Sequence, residues 1–247
     1  MSWRIFIASL RAAAVRSAGA LGDAVMPRLC AFCGTECTRC ESFCCKGCHA
    51  DLPWNDIQCG RCAKPLQLPP GDGVDCAACQ QRPPPFSLAC APLRYAFPVD
   101  AAIKALKFRR RLDYLPAFGA ILSAAASSLP ADIDALLPVP LHWRRHASRG
   151  FNQAAELCKP LQRRTGLPVL TGFHRARATP YQSGLSAVER SRNLRAAFTA
   201  RGHTEARHVL IVDDVITTGE TCRQLAGAVL AAGAESVSVL ALARAGP

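Results

Sequence analysis

The stretch Val209-Leu-Ile-Val-Asp-Asp-Val-Ile-Thr-Thr-Gly-Glu-Thr221 decides the fold. Val209–Val212 is a continuous apolar run and reads as a buried strand. Asp213 and Asp214 follow at its C-terminal end, where open α/β sheets bind their ligands. Thr217-Thr218-Gly219 then opens a helix expected from about Gly219 to Ala232, with Gly233 as its cap. The free N–H groups and positive dipole end of such a helix suit a phosphate. The Thr217, Thr218 and Thr221 hydroxyls add donors, and Gly219 lets the backbone come close. A phosphate alone would not favour two carboxylates beside it. A ribose 5-phosphate would, because the carboxylates accept from its 2′- and 3′-hydroxyls. A plain helix cap needs only one such residue.

Outward from this stretch, strand and helix patterns alternate. Leu88–Phe97 reads as a strand, Val99–Phe108 and Leu115–Ser127 as helices, and Ala135–Val139 as a short strand. Asn152–Arg164 is a helix stopped by Gly166-Leu167-Pro168; Pro168–Phe173 and Val237–Leu242 are further strands. Continuous Val, Leu and Ile strands joined by helices imply a parallel sheet covered on both faces. The expected organisation is a helical leader (1–28), a cysteine-rich module (29–80), a Pro-rich connector at Arg82-Pro83-Pro84-Pro85 (81–87) and an α/β domain (88–247).

Eleven of the fourteen cysteines fall between Cys30 and Cys79. Four pairs, Cys30/Cys33, Cys45/Cys48, Cys59/Cys62 and Cys76/Cys79, give C-x2-C-x11-C-x2-C and C-x2-C-x13-C-x2-C. Each set is close to a zinc ribbon, in which two knuckles supply four thiolates. About fifty residues hold little core, so two structural Zn²⁺ ions are expected to fold the module. Cys37, Cys40 and Cys44 are additional, which leaves the first ligand set open. Cys90, Cys158 and Cys222 are isolated and read as small buried hydrophobes. Reduced thiolates imply a cytoplasmic setting. Residues Trp3–Met26 are Ala- and Leu-rich, but Arg4, Arg11 and Arg16 interrupt them. The leader is therefore expected as an amphipathic helix and not a transmembrane segment.

The net charge of +12 suits a polyanionic partner or a solvated basic surface. The runs Lys104-Ala-Leu-Lys-Phe-Arg-Arg-Arg111 and Phe173-His-Arg-Ala-Arg177 carry few aromatics between their cations, so both readings stay open.

With these motifs in place, the Val209–Thr221 segment resembles the phosphoribosyl pyrophosphate (PRPP) motif of type I phosphoribosyltransferases. Leu137-Pro-Val-Pro-Leu-His142, Arg149-Gly-Phe-Asn-Gln153, Arg177-x-Thr179-x-x-Gln182-x-x-Leu185 and Glu189-Arg190-x-x-Asn193 are similar to the ComF family of competence-associated proteins. The resemblance implies that Asp213 and Asp214 grip the ribose hydroxyls while Val215, Thr217, Thr218, Gly219, Glu220 and Thr221 form the 5′-phosphate loop. It implies a pyrophosphate loop around Pro140–Arg144, including Leu141 and His142, and charge neutralisation by Arg149 and Arg190. Arg175–Asn193 would be a flap over the site. Mg²⁺ commonly accompanies PRPP in that superfamily. The family association adds single-stranded DNA and DNA-uptake or recombination proteins as partners, while an active salvage phosphoribosyltransferase remains the alternative.

Overall fold

The computed structural model describes residues 28–38, 43–67, 74–141, 150–175 and 197–246. The leader up to Pro27, Cys40, His142, Arg149, Arg190 and most of the expected flap lie outside them. The chain divides into two compact units, Met1–Asp51 and Leu52–Pro247.

The first unit holds a Leu29–Glu36 antiparallel bridge and helix α1 (Lys46–Ala50). Cys30 N donates to Thr35 O (2.7 Å) and Gly34 N to Cys30 O (2.8 Å), closing a tight turn around Cys33.

The second unit opens with the same device. A Gln58–Pro65 bridge closes a turn in which Cys59 N donates to Lys64 O and Ala63 N to Cys59 O, both 2.8 Å. Helix α2 (Ala77–Gln81) follows. Strands β1 (Leu88–Cys90) and β2 (Leu93–Arg94) replace the one long strand expected at Leu88–Phe97. Helices α3 (Val99–Arg109) and α4 (Leu115–Ala125) precede β3 (Ala135–Pro138). Helix α5 (Gln153–Thr165) is capped by the Asn152 side chain. Strands β4 (Phe173–Arg175) and β5 (Phe198–Ala200) pair antiparallel, leaving residues 176–197 between them. Strand β6 (His208–Ile216), helix α6 (Glu220–Ala231) and strand β7 (Ser236–Arg244) complete the unit.

The main sheet runs β1-β7-β6-β3, with β2 also on β7, and every pairing is parallel. Successive side chains on a strand face opposite ways. Val209, Ile211, Val237 and Val239 join a core cluster with Cys222, Leu225, Ala226 and Val229 of α6. Those four recur at i, i+3, i+4 and i+7, which makes one apolar stripe on the helix. The alternate residues Leu136 and Leu210 face Leu161 of α5 across a second cleft. Helices thus cover both faces, and the acidic pair inherits that alternation. Residue 119 must be glycine for α4 to lie against α5, since a Cβ there would stand 2.6 Å from Pro160 Cγ.

The second cysteine set is built into this unit. Ala63 is fully buried and belongs to the sheet core. Ala89 N donates to Gly60 O (3.1 Å), and the buried Asn55 amide donates to both Ala63 O and Ala91 O (3.0 Å each). The Arg82–Pro83 segment is likewise tied down, its carbonyls accepting from Arg223 of α6 at 3.1 and 3.4 Å. The sequence grouped both sets in one module, 29–80, because C-x-x-C spacing does not reveal what supports it.

Candidate phosphate and metal sites

Strand β6 does not stop at Val212. Pairing with β7 carries it to Ile216, so both carboxylates sit within the ladder, Asp213 opposite Ala241. A cavity of about 160 Å³ at this sheet end is lined by Lys107, Leu141, Asn152, Arg175, Asp213, Asp214, Val215 and Thr221, among others. Asp214 is buried, and Lys107 Nζ of α3 donates to its Oδ1 at 2.9 Å and lies 2.8 Å from Oδ2. Asp213, half-buried, accepts from Asp214 N at 2.8 Å. Desolvation first, then the neighbouring Asp214 charge, push its carboxyl up to about 7; Lys107 and Arg175 oppose the shift.

Past Ile216 the chain turns through exposed Thr217 and Thr218 to Gly219, whose φ of +80° is the left-handed region that glycine adopts without strain. Gly219 caps α6 with no side-chain hydrogen bond. Glu220 N donates to Thr218 Oγ1 at 3.4 Å, and the N–H groups that follow in the first turn face an approaching anion. Glu220 Oε1 accepts from Gln224 at 2.8 Å and stays on the helix.

Of the residues expected from sequence, Asp213, Asp214, Val215, Thr221 and Leu141 line one cavity, and Thr217, Thr218 and Gly219 form the adjoining turn. His142, Arg149 and Arg190 lie outside the described residues. Sequence reasoning missed Lys107 and Asn152 and placed Arg175 only at the edge of the flap. Lys107 sits in the basic run read as a surface; its i, i+4 spacing from buried Ile103 was the available signal. Asn152 ties the loop after β3 to α5, accepting from Ala154 N and donating to Val139 O at 3.0 Å each. Arg175 stacks over the Phe198 ring, 5.5 Å from its centroid.

Two other features compete for attention. A larger groove, about 500 Å³, lies between 168–173 and 200–206 and shares no lining residue with the acidic cavity. Ser238, His208 and Asp132 form a chain with hydrolase-like spacing (2.9 and 3.1 Å), but Ser238 is fully buried in β7 and reaches no substrate.

The cysteines form two clusters, Cys30/Cys33/Cys45/Cys48 and Cys59/Cys62/Cys76/Cys79, each with its sulfurs within 4.8 Å of one another. Cys33 Sγ lies 3.7 Å from Cys45 Sγ, and Cys62 Sγ 3.7 Å from Cys76 Sγ. The edge of a tetrahedron with metal–sulfur bonds of about 2.3 Å is roughly 3.8 Å. A disulfide needs about 2.05 Å, and the described cysteines are all free. Cys45 N donates to Cys30 Sγ (3.4 Å) and Cys76 N to Cys59 Sγ (3.2 Å), which stabilises thiolate charge. Each cluster can therefore hold a four-coordinate thiophilic metal. Cys44 is excluded from the first: its Sγ turns to Cys45 O, and burial pushes its thiol up to about 12. The isolated Cys158 and Cys222 are buried, and Cys90 is half-buried.

A parallel sheet whose strand β6 carries two carboxylates beside a helix N-terminus defines an α/β protein with a ligand-binding sheet end, here joined to four-cysteine knuckles. The chain is 39% identical over 199 residues to DNA utilization protein YhgH of Escherichia coli O6:H1, covering 76% of this chain and 82% of that one. It is 32% identical over 214 residues to competence protein F of Haemophilus influenzae, covering 81% and 90%. It therefore belongs to the ComF family, that of competence protein F and YhgH. No family model matches. Among solved structures it is similar to the allosteric regulatory enzyme of purine biosynthesis, at 22% identity and a TM-score of 0.35 over 51% of this chain and 25% of that one. Among the described residues no helix is long and apolar enough to cross a membrane.

Proposed function

We propose that this protein binds PRPP at Asp213–Thr221 and works in the handling of imported single-stranded DNA. The observation that carries the first half is the Asp213/Asp214 pair, with Lys107 on Asp214, beside the N-terminus of α6, whose cap residue is a glycine. Asp213 and Asp214 accept from the ribose hydroxyls, and the Thr217–Thr221 turn takes the 5′-phosphate. Leu141, His142, Arg149 and Arg190 are assigned to the pyrophosphate side. Bound Mg²⁺ would supply charge neutralisation on the pyrophosphate, held mainly by substrate oxygens. The thiolate clusters are assigned to two structural Zn²⁺ ions, which fits a reducing, cytoplasmic setting. Calorimetry with PRPP, with and without Mg²⁺, tests the ligand: absence of binding in both overturns it. Pyrophosphate release in the presence of nucleobases separates a working transferase, where positioning and charge stabilisation at C1 do the catalysis, from a binding module.

The relatives' names speak of DNA utilization and competence, and one surface supports the second half. Phe97 and Phe108 are 81% and 72% exposed at the two ends of α3, beside Lys104, Arg109 and Arg110. Exposed rings among cations stack bases while the cations meet phosphates. Lys104 and Arg111 contribute less, being paired with Asp100 at 2.7 Å and with Asp113 at 2.5 Å. Anisotropy with a labelled oligonucleotide should show sequence-tolerant binding that weakens steeply with salt. No binding at low salt would leave the basic surface merely solvated.

A further inference from the structure

The guanidinium of Arg244 is buried between the second cysteine cluster and the phosphate turn. Its Nε donates to Cys62 O at 3.0 Å. One terminal nitrogen donates to Ile216 O at 3.1 Å and also reaches the carbonyls of Thr217 and Ala245. Cys62 is a cluster member, and Ile216 and Thr217 are the residues from which the chain turns into Gly219. A planar guanidinium fixes several acceptors in one geometry. At the other end of the cluster, Arg223 of α6 holds the carbonyls of Arg82 and Pro83, just past Cys79 and α2. Arg244 thus holds a cluster residue itself, while Arg223 holds the backbone just beyond Cys79; Arg223 lies on the helix and Arg244 reaches the turn that form the phosphate site.

We propose that Arg244 is a positioning residue through which metal in the second cluster sets the affinity of the phosphate turn. With metal bound, the Cys59–Cys62 knuckle fixes the Cys62 carbonyl. That anchors the guanidinium, which holds the Ile216 and Thr217 carbonyls and so aims the N–H groups that follow. Losing the metal frees the knuckle and one anchor of Arg244. The inference rests on the assignment of PRPP to this turn. Coupling between two sites is reciprocal, so bound PRPP must in turn retain the second metal ion.

The test is an equilibrium competition on the full-length, zinc-loaded protein with a zinc-selective chelator, with and without saturating PRPP. The concentration needed to strip half of one zinc ion should rise on the order of tenfold with PRPP, a typical coupling factor. The other ion should be indifferent, and Cys33→Ser, which removes the first site, identifies which is which. Arg244→Met should abolish the PRPP effect while both ions still bind, and Arg244→Lys, which lacks the planar fork, should restore little of it. If PRPP binds the wild type but protects neither ion, the coupling is wrong and the ligand assignment stands. This arm needs no variant to fold. If calorimetry shows no PRPP binding, both fall together.

Discussion

The two cysteine clusters are built alike and used differently. In each, a short antiparallel turn carries the first C-x-x-C and closes on a left-handed residue, Gly34 in one and Ala63 in the other. In each, the third cysteine caps a five-residue helix. A Cβ at Gly34 would meet nothing within 4 Å, whereas Ala63 is fully buried in the sheet core. The second knuckle accepts a non-glycine residue at φ +56° because its methyl is needed inside. One metal motif thus belongs to the first unit, and its copy is a wall of the α/β domain.

The largest expected effect tests that asymmetry. Cys76→Ser should lower the zinc content from two to one and destabilise the whole Leu52–Pro247 unit, since structural zinc contributes on the order of 10 kcal/mol in small modules. Cys45→Ser should also remove one zinc yet leave the melting of the sheet unchanged. Equal loss in both variants by calorimetric melting and metal analysis would break the comparison. Next, Asp214→Asn removes a charged acceptor worth roughly 1.5–3 kcal/mol. PRPP affinity should fall about ten- to a hundredfold, while Cys33→Ser keeps wild-type affinity.

A smaller effect is pH-dependent. The Asp213 carboxyl is raised to about 7, so below that value it stays protonated in the folded chain while ionised in the unfolded one. The folded state then binds the extra proton, and stability falls as pH rises from the ordinary carboxylate range to about 7, by at most roughly 1.4 kcal/mol per unit. Asp213→Asn should therefore gain over wild type in melting temperature from pH 5 to pH 8. A constant difference would show that Asp213 does not titrate there. The smallest contrast lies in the two turns. Gly34→Ala should cost about 1 kcal/mol of first-unit stability through left-handed strain. Ala63→Gly should come out within about 1 kcal/mol of neutral, because relief of strain is offset by loss of a buried methyl and by glycine entropy.

The fold class was legible because β6 and β7 are uninterrupted apolar runs and α6 shows one clean stripe. Four-cysteine spacing likewise foretold both clusters. Lys107 was not legible: it lies 107 residues from Asp214, and a lysine among four other cations looks like surface. Nor was the β4–β5 pairing, whose β5 strand is three residues long and carries no periodicity. Separation along the chain also misled at Cys62 and Arg244, since spacing that finds a metal site says nothing about which core its backbone will join.

The strand order has a consequence for synthesis. Among the described residues β1 pairs with β7 alone, with Leu88 opposite Ser238, so the first strand of the sheet waits for the last. At typical elongation rates that interval is on the order of ten seconds. Until then Ala63 lacks its cover from the rest of the sheet core and Arg244 is not yet made. A metal bound by the nascent cluster would be held without the Arg244 contact to Cys62 O.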